Sequence, residues 1–324
     1  MRNRLTVAAL LCSTAALILD SRCAVASATD SLALCARVLI PSLFPLFVIT
    51  GMLIPGLSGI RLPFLARLLG LPNGSEGLYL LGCCGGFPVG AAGIAQAAGT
   101  GALSRSDAER MLGLCSYCGP SFLFGVLPQF LPIRWVVALF FIQLETGILL
   151  ACYWPNPSRS TFEPSRDSLS LTGSVHRAIN SMLSVCAWVV LAGVGAGFLR
   201  RWLFPLLPDG ASILMIGLLE LSNGIFAVPT VDPAHAFILY TVFICFGGIS
   251  VLLQIGGLAA PVGLRMGPCI CQKAVHGILG ALAAAAYLHW GSHVLFVIPT
   301  SLFAKFALEI PGQMVYNHRR KEGI

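Results

Sequence analysis

The sequence predicts an all-α fold, a polytopic membrane helix bundle with discontinuous helices and two pseudo-repeated halves. Only 10% of the 324 residues are charged, against about 25% in a typical soluble domain, and the mean hydropathy is +0.85. Apolar runs of about 20 residues, long enough to cross a bilayer, recur along the chain. Glycine and proline interrupt the most apolar runs, which predicts broken helices at membrane depth.

The first apolar run, 5–19, follows a short basic start and resembles a signal peptide, with a cleavage-like patch at 24–28. Because further apolar runs follow, we prefer an uncleaved first helix with a cytoplasmic N-terminus. Cleavage stays an alternative. The second run, 32–54, contains Pro41 and Pro45, whose spacing predicts a kink. A loop-like segment then carries arginines, which favour the cytoplasmic side.

The stretch 81–101, LGCCGGFPVGAAGIAQAAGTG, organises the rest of the chain. A glycine inside a helix costs about 1 kcal/mol relative to alanine, and a proline about 3. Gly85, Gly86 and Pro88 therefore predict a break at membrane depth. Such backbone survives only beside protein or a wet cavity, and it points to a transport site in secondary transporters. Close packing of a helix through small residues is the alternative.

The segment after this stretch predicts a helix over 107–118, opened by a capping box of Ser106 and Glu109. Gly119 and Pro120 end it and make a second break. The preceding apolar stretch could fold as a re-entrant hairpin, which would return this polar cap to its starting side, or as one crossing.

The next predicted crossing, 134–154, carries Gln143 and Glu145 in an otherwise apolar run. An ionisable group within a span is a functional candidate, although Glu145 could instead lie near an interface.

The segment 155–177 is rich in serine, proline and charge, and it predicts a flexible polar linker. It divides the chain into an N-terminal membrane half, 1–154, and a C-terminal membrane half, 178–324. With both termini in the cytoplasm the number of crossings is even, and eight to ten are expected. The apolar runs predicted in the second half are 178–199, 213–228, 234–254, 269–290 and 294–309.

A short similarity suggests that the halves are repeats. The segments 83–89 and 245–251 share the pattern Cys-x-Gly-Gly-x-x-Val. Interrupted segments at corresponding places in two halves are typical of a paired-repeat transporter site. Gly247 and Gly248 thus become site candidates, and Ser250 and Gln254 follow them.

Glu220, Ser222 and Asn223 form the sharpest polar cluster. In a helix Glu220 and Asn223 would share a face, because residues three apart are neighbours. A carboxylate, a hydroxyl and an amide could bind a cation, a proton or the hydroxyls of a polar solute. The alternative is hydrogen bonding between helices that only holds the bundle together.

Other chemistry finds little support. No nucleophile triad, phosphate loop or paired-carboxylate motif stands out, so we expect no enzyme, no cofactor and no metal. The basic residues lie in loops and at the C-terminus, which is typical of topology signals rather than of nucleic-acid binding. Lys273 and His276 are expected to be a solvated loop pair.

Six stretches together resemble the sporulation integral membrane protein family of the YlbJ type, which belongs with the Gate, or nucleoside-recognition, membrane domains. They are 38–47, 85–91, 104–112, 115–122, 218–224 and 246–254. Where that family typically has Ser-Gly-Tyr-Pro, this chain has Gly85-Gly86-Phe87-Pro88. The resemblance implies a membrane protein of spore-forming bacteria that is related in its Gate segments to nucleoside transporters. It supplies no substrate.

Two functions follow as hypotheses. The first is a transporter-like protein of the bacterial cell membrane that moves or binds a small polar, nucleoside-like solute, with Glu220 coupled to a cation. The second is a membrane scaffold for assembly of the spore envelope or cortex. The bilayer is the expected partner in both, and a homo-oligomer is left open.

Overall fold

The chain folds into helices throughout the residues that the computed structural model describes, which are 2–57, 60–155, 160–162, 170–228 and 231–295. Within those ranges a bridge between Asn73 and Thr161 is the one extended pairing. A π-helical turn, Cys35–Leu39, joins α2 to α3. The helices are α1 (Arg2–Leu19), α2 (Ser21–Leu34), α3 (Ile40–Leu57), α4 (Pro63–Leu69), α5 (Glu76–Gly85), α6 (Val89–Gly99), α7 (Arg105–Leu114), α8 (Pro120–Val126), α9 (Ile133–Tyr153), α10 (Leu171–Trp202), α11 (Asp209–Leu219), α12 (Leu221–Ala227), α13 (Pro233–Phe246), α14 (Gly248–Ala259) and α15 (Gly267–Trp290).

Five helical segments of the described chain are long and apolar enough to cross a bilayer. They are Ser21–Leu53, Ile133–Tyr153, Leu171–Trp202, Pro233–Val262 and Gly267–His293. The chain is therefore an all-α, multi-pass membrane protein, as predicted. Among the described residues these are fewer than the eight to ten crossings expected: two of the predicted runs fold back on themselves, and the first is shorter than the five long segments. The run predicted at 294–309 lies almost wholly outside the described residues, as does the basic tail.

Two pairs of short helices fold back on themselves within the bundle. α5 and α6 approach so closely that a Cβ on Gly90 would lie 2.8 Å from the Cα of Gly82. α11 and α12 cross in the same way at Gly217 and Gly224. In one continuous helix such positions would be about 11–12 Å apart. The stretch 81–101 is therefore a re-entrant hairpin, the first of the two foldings that its sequence allows.

The other two breaks separate consecutive helices. Residues 115–119 separate α7 from α8, and Gly247 separates α13 from α14. The φ of Gly247 is +88°, a conformation that glycine adopts at little cost. α13 packs against α15, whereas α14 packs against α6 and α10. The break thus lets one stretch of chain contact two different parts of the bundle.

The two pseudo-repeated halves stay a prediction, but the similar motifs do not lie at like positions. The motif 83–89 lies at the turn of a folded-back pair, whereas 245–251 lies within an interrupted helix. The order of a folded-back pair, two helices separated by a break, and a long helix occurs in both halves. If the halves are repeats in this order, the turn 86–88 of the first folded-back pair would correspond to position 220 of the second.

The two longest helical stretches, α2–α3 and α10, pack antiparallel. A Cβ on Gly51, near the end of the first, would lie 3.6 Å from the side chain of Ser174, near the start of the second. At the other end Gly193 lies against Ser31, and Gly197 lies against Ser27. Small residues let the two backbones approach, as is usual between membrane helices.

α10 begins earlier than predicted, so the last part of the predicted linker, 171–177, is helical. Ser170 caps this helix by accepting a hydrogen bond from the backbone N–H of Gly173 at 3.1 Å. Phe162, in the same predicted linker, is buried in the core. The division into two membrane halves around this segment stays a prediction.

The cap of α7 lies two positions before the predicted one. Ser104, not Ser106, accepts the hydrogen bond from Asp107 N at 3.2 Å, and its hydroxyl donates to the Asp107 carboxylate at 2.6 Å. Glu109 therefore has no role in a capping box, because the helix starts at Arg105 and Glu109 lies beyond its first turn.

Glu109 instead ties the two halves together. Its carboxylate accepts from the backbone N–H of Arg265 at 3.0 Å and from the Arg265 Nε at 2.9 Å. Arg105 donates to the same carboxylate at 3.3 Å and also to the carbonyl of Gly263. Burial alone would raise the pKa of Glu109, but the hydrogen bonds from Arg265 and Arg105 outweigh it and hold this pKa below its usual range.

We expect Glu109→Gln to lower the free energy of unfolding by about 1 kcal/mol at pH 7, a modest effect because both arginines are largely exposed and screened by water. A lowered pKa in the folded state stabilises the fold above the unfolded pKa of about 4.3, and this contribution disappears as the pH falls through the folded pKa. The variant and the parent should therefore converge as the pH falls below the folded pKa. Thermal unfolding in detergent across this pH range measures the effect, and a double-mutant cycle with Arg265→Gln isolates the pair.

Candidate functional site

The four helix breaks converge at one point in the middle of the bundle. A Cβ on Gly86 would lie 2.6 Å from the backbone N of Gly119, so the first hairpin turn touches the break between α7 and α8. A Cβ on Gly247 would lie 3.0 Å from the Phe87 ring. A Cβ on Gly248 would lie 3.2 Å from the backbone N of Leu221, beside the break at Glu220.

A cavity of about 50 Å³ lies where the breaks meet. A site needs roughly 10–15 Å³ of such space for each water molecule, so a few waters fit. Its walls combine apolar side chains with a few polar groups, as is usual in small-molecule sites. The lining residues are Leu39, Leu43, Gly86, Phe87, Cys118, Gly119, Phe122, Val185, Val189, Glu220, Leu221, Ser222, Val251 and Gln254.

Glu220 is the break residue of the second hairpin and not a helical residue as predicted. Its φ and ψ of −146° and 121° are extended. Its two carboxylate oxygens accept hydrogen bonds from the backbone N–H groups of Ser222 at 3.1 Å and Asn223 at 2.7 Å, so the side chain caps α12. It is nonetheless a buried carboxylate, 3% exposed, on the wall of the central cavity.

The prediction that Glu220 and Asn223 share a helical face is wrong, because the chain leaves the helix at Glu220. Ser222 joins Glu220 at the central cavity, whereas Asn223 lines a different cavity. The three polar residues that looked like one cluster in the sequence therefore face two spaces.

Ser250 and Gln254, one helical turn apart on α14, bring further polar groups to the centre. Both are buried, and the Gln254 amide donates to the Ser250 hydroxyl at 3.4 Å. Gln254 lines the central cavity, and Ser250 supports it from the preceding turn.

The remaining candidates of the first hairpin act through the backbone. Gly85 is buried at the end of α5, where a Cβ would lie 2.6 Å from a methyl group of Val89. Pro88 precedes α6 and lines a larger cavity on one side of the centre.

Two larger cavities lie on either side of the central one along α10. The first, of about 370 Å³, is lined by Pro88 and Gln96 of the first hairpin and by Arg177, Asn180 and Ser181 near the start of α10. The second, of about 420 Å³, is lined by Asp30, Leu34, Arg200, Ile216, Asn223, Phe226 and Ala227. Arg200 is near the end of α10, and the central cavity touches that helix between the two, at Val185 and Val189.

A buried basic pair lies beside the breaks and was expected in a solvated loop. Lys273 and His276 belong to α15 and are 1% and 3% exposed. The lysine ammonium donates to the Ser116 carbonyl at 2.8 Å and lies 4.8 Å from the centre of the Phe87 ring. The expectation was wrong because charged residues in a Gly- and Pro-rich segment predict a solvent-exposed loop. The partners that bury this pair are distant in the sequence and cannot be seen in the local pattern.

Comparison with known proteins gives one relative. The chain is 22% identical over 301 residues to "Sporulation integral membrane protein YlbJ" of Bacillus subtilis (strain 168), covering 76% of this chain and 73% of that protein. No family model and no solved structure matches. The similarity agrees with the motifs, the all-α fold and the membrane-spanning helices, and it supports the assignment of this chain to a YlbJ-type family of integral membrane proteins.

Proposed function

We propose that the protein moves a small polar, nucleoside-like solute through the bundle by way of the central cavity. The observation that carries this proposal is the order of the three cavities along α10. That helix passes the first at Ser181, the central one at Val185 and Val189, and the last at Arg200.

The spacing of the cavities fits a path across a bilayer. At 1.5 Å per helical residue, the rise from Ser181 to Arg200 is about 29 Å, close to the roughly 30 Å thickness of the hydrocarbon core. The antiparallel partner helix passes the same cavities in reverse, at Asp30, Leu43 and Gly51. The central cavity thus lies between the two outer ones, about 6–12 Å along α10 from Ser181. Transporters built from broken helices bind their solutes inside the membrane in the same way.

The chemistry of the central cavity suits a polar solute. Glu220, Ser222 and Gln254 present a carboxylate, a hydroxyl and an amide, while Phe87 and Phe122 present aromatic rings. Hydroxyl groups of a nucleoside could pair with the polar side chains and its base could pack on a ring. A cation beside Glu220 would balance the buried charge, so we include cation coupling in the proposal.

The name of the bacterial relative adds a biological setting. We extend a role in sporulation to this chain on that similarity. We also propose the bacterial cell membrane as its location, with both termini in the cytoplasm.

A membrane scaffold for spore envelope or cortex assembly is the second candidate. The observation that favours it is that backbone amides already occupy both oxygens of Glu220, so the carboxylate has a structural task without any ligand. The small volume of the central cavity also suits a packed scaffold.

Reconstituted vesicles separate the two candidates. We expect saturable counterflow of a labelled nucleoside such as uridine in vesicles that contain the protein and none in empty vesicles. Val189→Phe, which fills the central cavity, should reduce counterflow at least about tenfold. The variant should still fold, because overpacking lowers the free energy of unfolding by only about 1–3 kcal/mol. Leu191→Phe on the lipid-facing side of the same helix, 62% exposed, is the matched control and should transport normally.

The outcomes of this assay divide cleanly. Folded protein that moves none of a panel of nucleosides and other small polar solutes supports the scaffold. Equal rates in the two phenylalanine variants would show that the solute does not pass Val189.

A further inference from the structure

The buried pair Lys273–His276 lies outside the three cavities, yet it touches the elements that close the central one. Within the described part of the chain no carboxylate forms an ion pair with this lysine. A buried ammonium without a counter-charge is costly in a membrane protein, and such groups mark ion or proton sites more often than simple packing.

Hydrogen-bond geometry fixes the protonation pattern of the histidine. His276 Nε2 lies 3.0 Å from the carbonyl oxygen of Gln143 and 3.1 Å from the hydroxyl of Thr146. A carbonyl only accepts, so Nε2 carries the proton in the neutral ring. Nδ1 can then accept from the Lys273 ammonium, which lies 3.4 Å from it, and the backbone of Cys245 is a further hydrogen-bonding neighbour of the ring.

Lys273 links this histidine to two of the four breaks. Its ammonium donates to the Ser116 carbonyl, which belongs to the break between α7 and α8, and lies over the Phe87 ring of the first hairpin turn. The same ring contacts Gly247, the break between α13 and α14. One charge therefore contacts two of the four breaks directly, and a third through the Phe87 ring.

We infer that Lys273–His276 is a proton-binding site that couples proton movement to opening of the central cavity; this inference rests on the proposed transport function. A proton from the aqueous phase binds His276 Nδ1, which then can no longer accept from Lys273. The ring and the ammonium become adjacent like charges, which repel. The lysine contacts to Ser116 and Phe87 weaken, and the hairpin turn is released until the proton leaves.

The groups that face this pair from the surrounding elements are weak acids. They are the thiols of Cys118, Cys245 and Cys269 around the lysine, and the Tyr117 ring, which stands edge-on to His276 at 5.8 Å and shares a hydrogen bond with Tyr79. α7 contributes the backbone carbonyl of Arg110 to the neighbouring Gln272. Each thiol is a poor proton acceptor in a buried apolar setting, so the imidazole is the acceptor for an added proton.

The test compares two assays on the same vesicles, nucleoside counterflow without a gradient and uptake driven by an inward proton gradient. In the parent protein the gradient should stimulate uptake about fivefold or more, the usual size of a coupling between two sites. Lys273→Met should keep counterflow and lose the stimulation. His276→Gln keeps an acceptor and a donor for the same neighbours but cannot take up the proton, so it should lose the stimulation too.

His289→Gln, an exposed histidine on the same helix, is the control and should behave as the parent. Normal counterflow without stimulation in the parent overturns the proton site and leaves the transport proposal intact. Full stimulation in His276→Gln overturns it as well, even if Lys273→Met fails to fold. No counterflow of any solute in the parent removes the transport proposal, and the proton site with it.

Discussion

Gly86→Ala is expected to lower the free energy of unfolding by about 3–5 kcal/mol, the largest stability effect of any single methyl group that we predict. Gly86 has φ and ψ of +74° and −176°, a region open almost only to glycine. The new Cβ would also lie 2.6 Å from the backbone N and 2.7 Å from the Cα of Gly119, which cannot move aside as a flexible side chain could.

Gly125→Ala is the matched control. Gly125 lies in α8, close along the chain to Gly119, and a Cβ there meets nothing within 4 Å. Alanine should stabilise this helix by about 0.5–1 kcal/mol, because glycine loses more conformational freedom on folding. Melting of both variants in the same detergent measures the difference. Equal melting temperatures would show that the first hairpin turn does not contact the break at Gly119.

Glu220→Gln is expected to leave the protein folded but to reduce nucleoside counterflow more than about tenfold, the loss typical when a buried site loses a charged hydrogen-bonding group. The amide oxygen of glutamine can replace one carboxylate oxygen as a cap, so the helix loses one of two hydrogen bonds and about 1 kcal/mol. The charge at the cavity wall, however, disappears completely. Fold and function should therefore separate in this variant.

Glu145→Gln is the control for this experiment. Glu145 is also a buried carboxylate, 9% exposed, but it lies on α9 and lines none of the three cavities described above. Its neutralisation should leave counterflow within about twofold of the parent, as expected for a site without contact to the ligand. If both variants transport at the parental rate, Glu220 acts only as a helix cap and the scaffold becomes the better function.

The positions of three of the four breaks could be predicted because their causes are local. Gly86, Pro88 and Gly247 carry an intrinsic cost in a helix whatever surrounds them, so the sequence alone indicates where regular structure stops. The polar cluster at Glu220 was also visible, as an ionisable group in an apolar run.

The arrangement of the breaks could not be predicted, because it depends on contacts between distant segments. Nothing near Gly86 in the sequence indicates that it meets Gly119, or that Gly217 and Gly224 let a helix fold back. Likewise, because the helix breaks at Glu220, Asn223 lines a different cavity from the one predicted. Lys273 looked like a loop residue for the same reason. The Ser116 carbonyl that accepts its hydrogen bond and the Phe87 ring that contacts its ammonium belong to the other half of the chain.

The most direct test of a path across the membrane is the side from which cavity residues can be reached. Ser181→Cys and Asn223→Cys, each on a background without the native thiols, place one thiol in each outer cavity. Membrane-impermeant thiol reagents should label the two from opposite faces of sealed vesicles, while a lipid-facing Leu191→Cys stays unlabelled. Labelling of both cavity positions from one face, or of neither from any face, would contradict a path that connects the two sides through the cavity at Glu220.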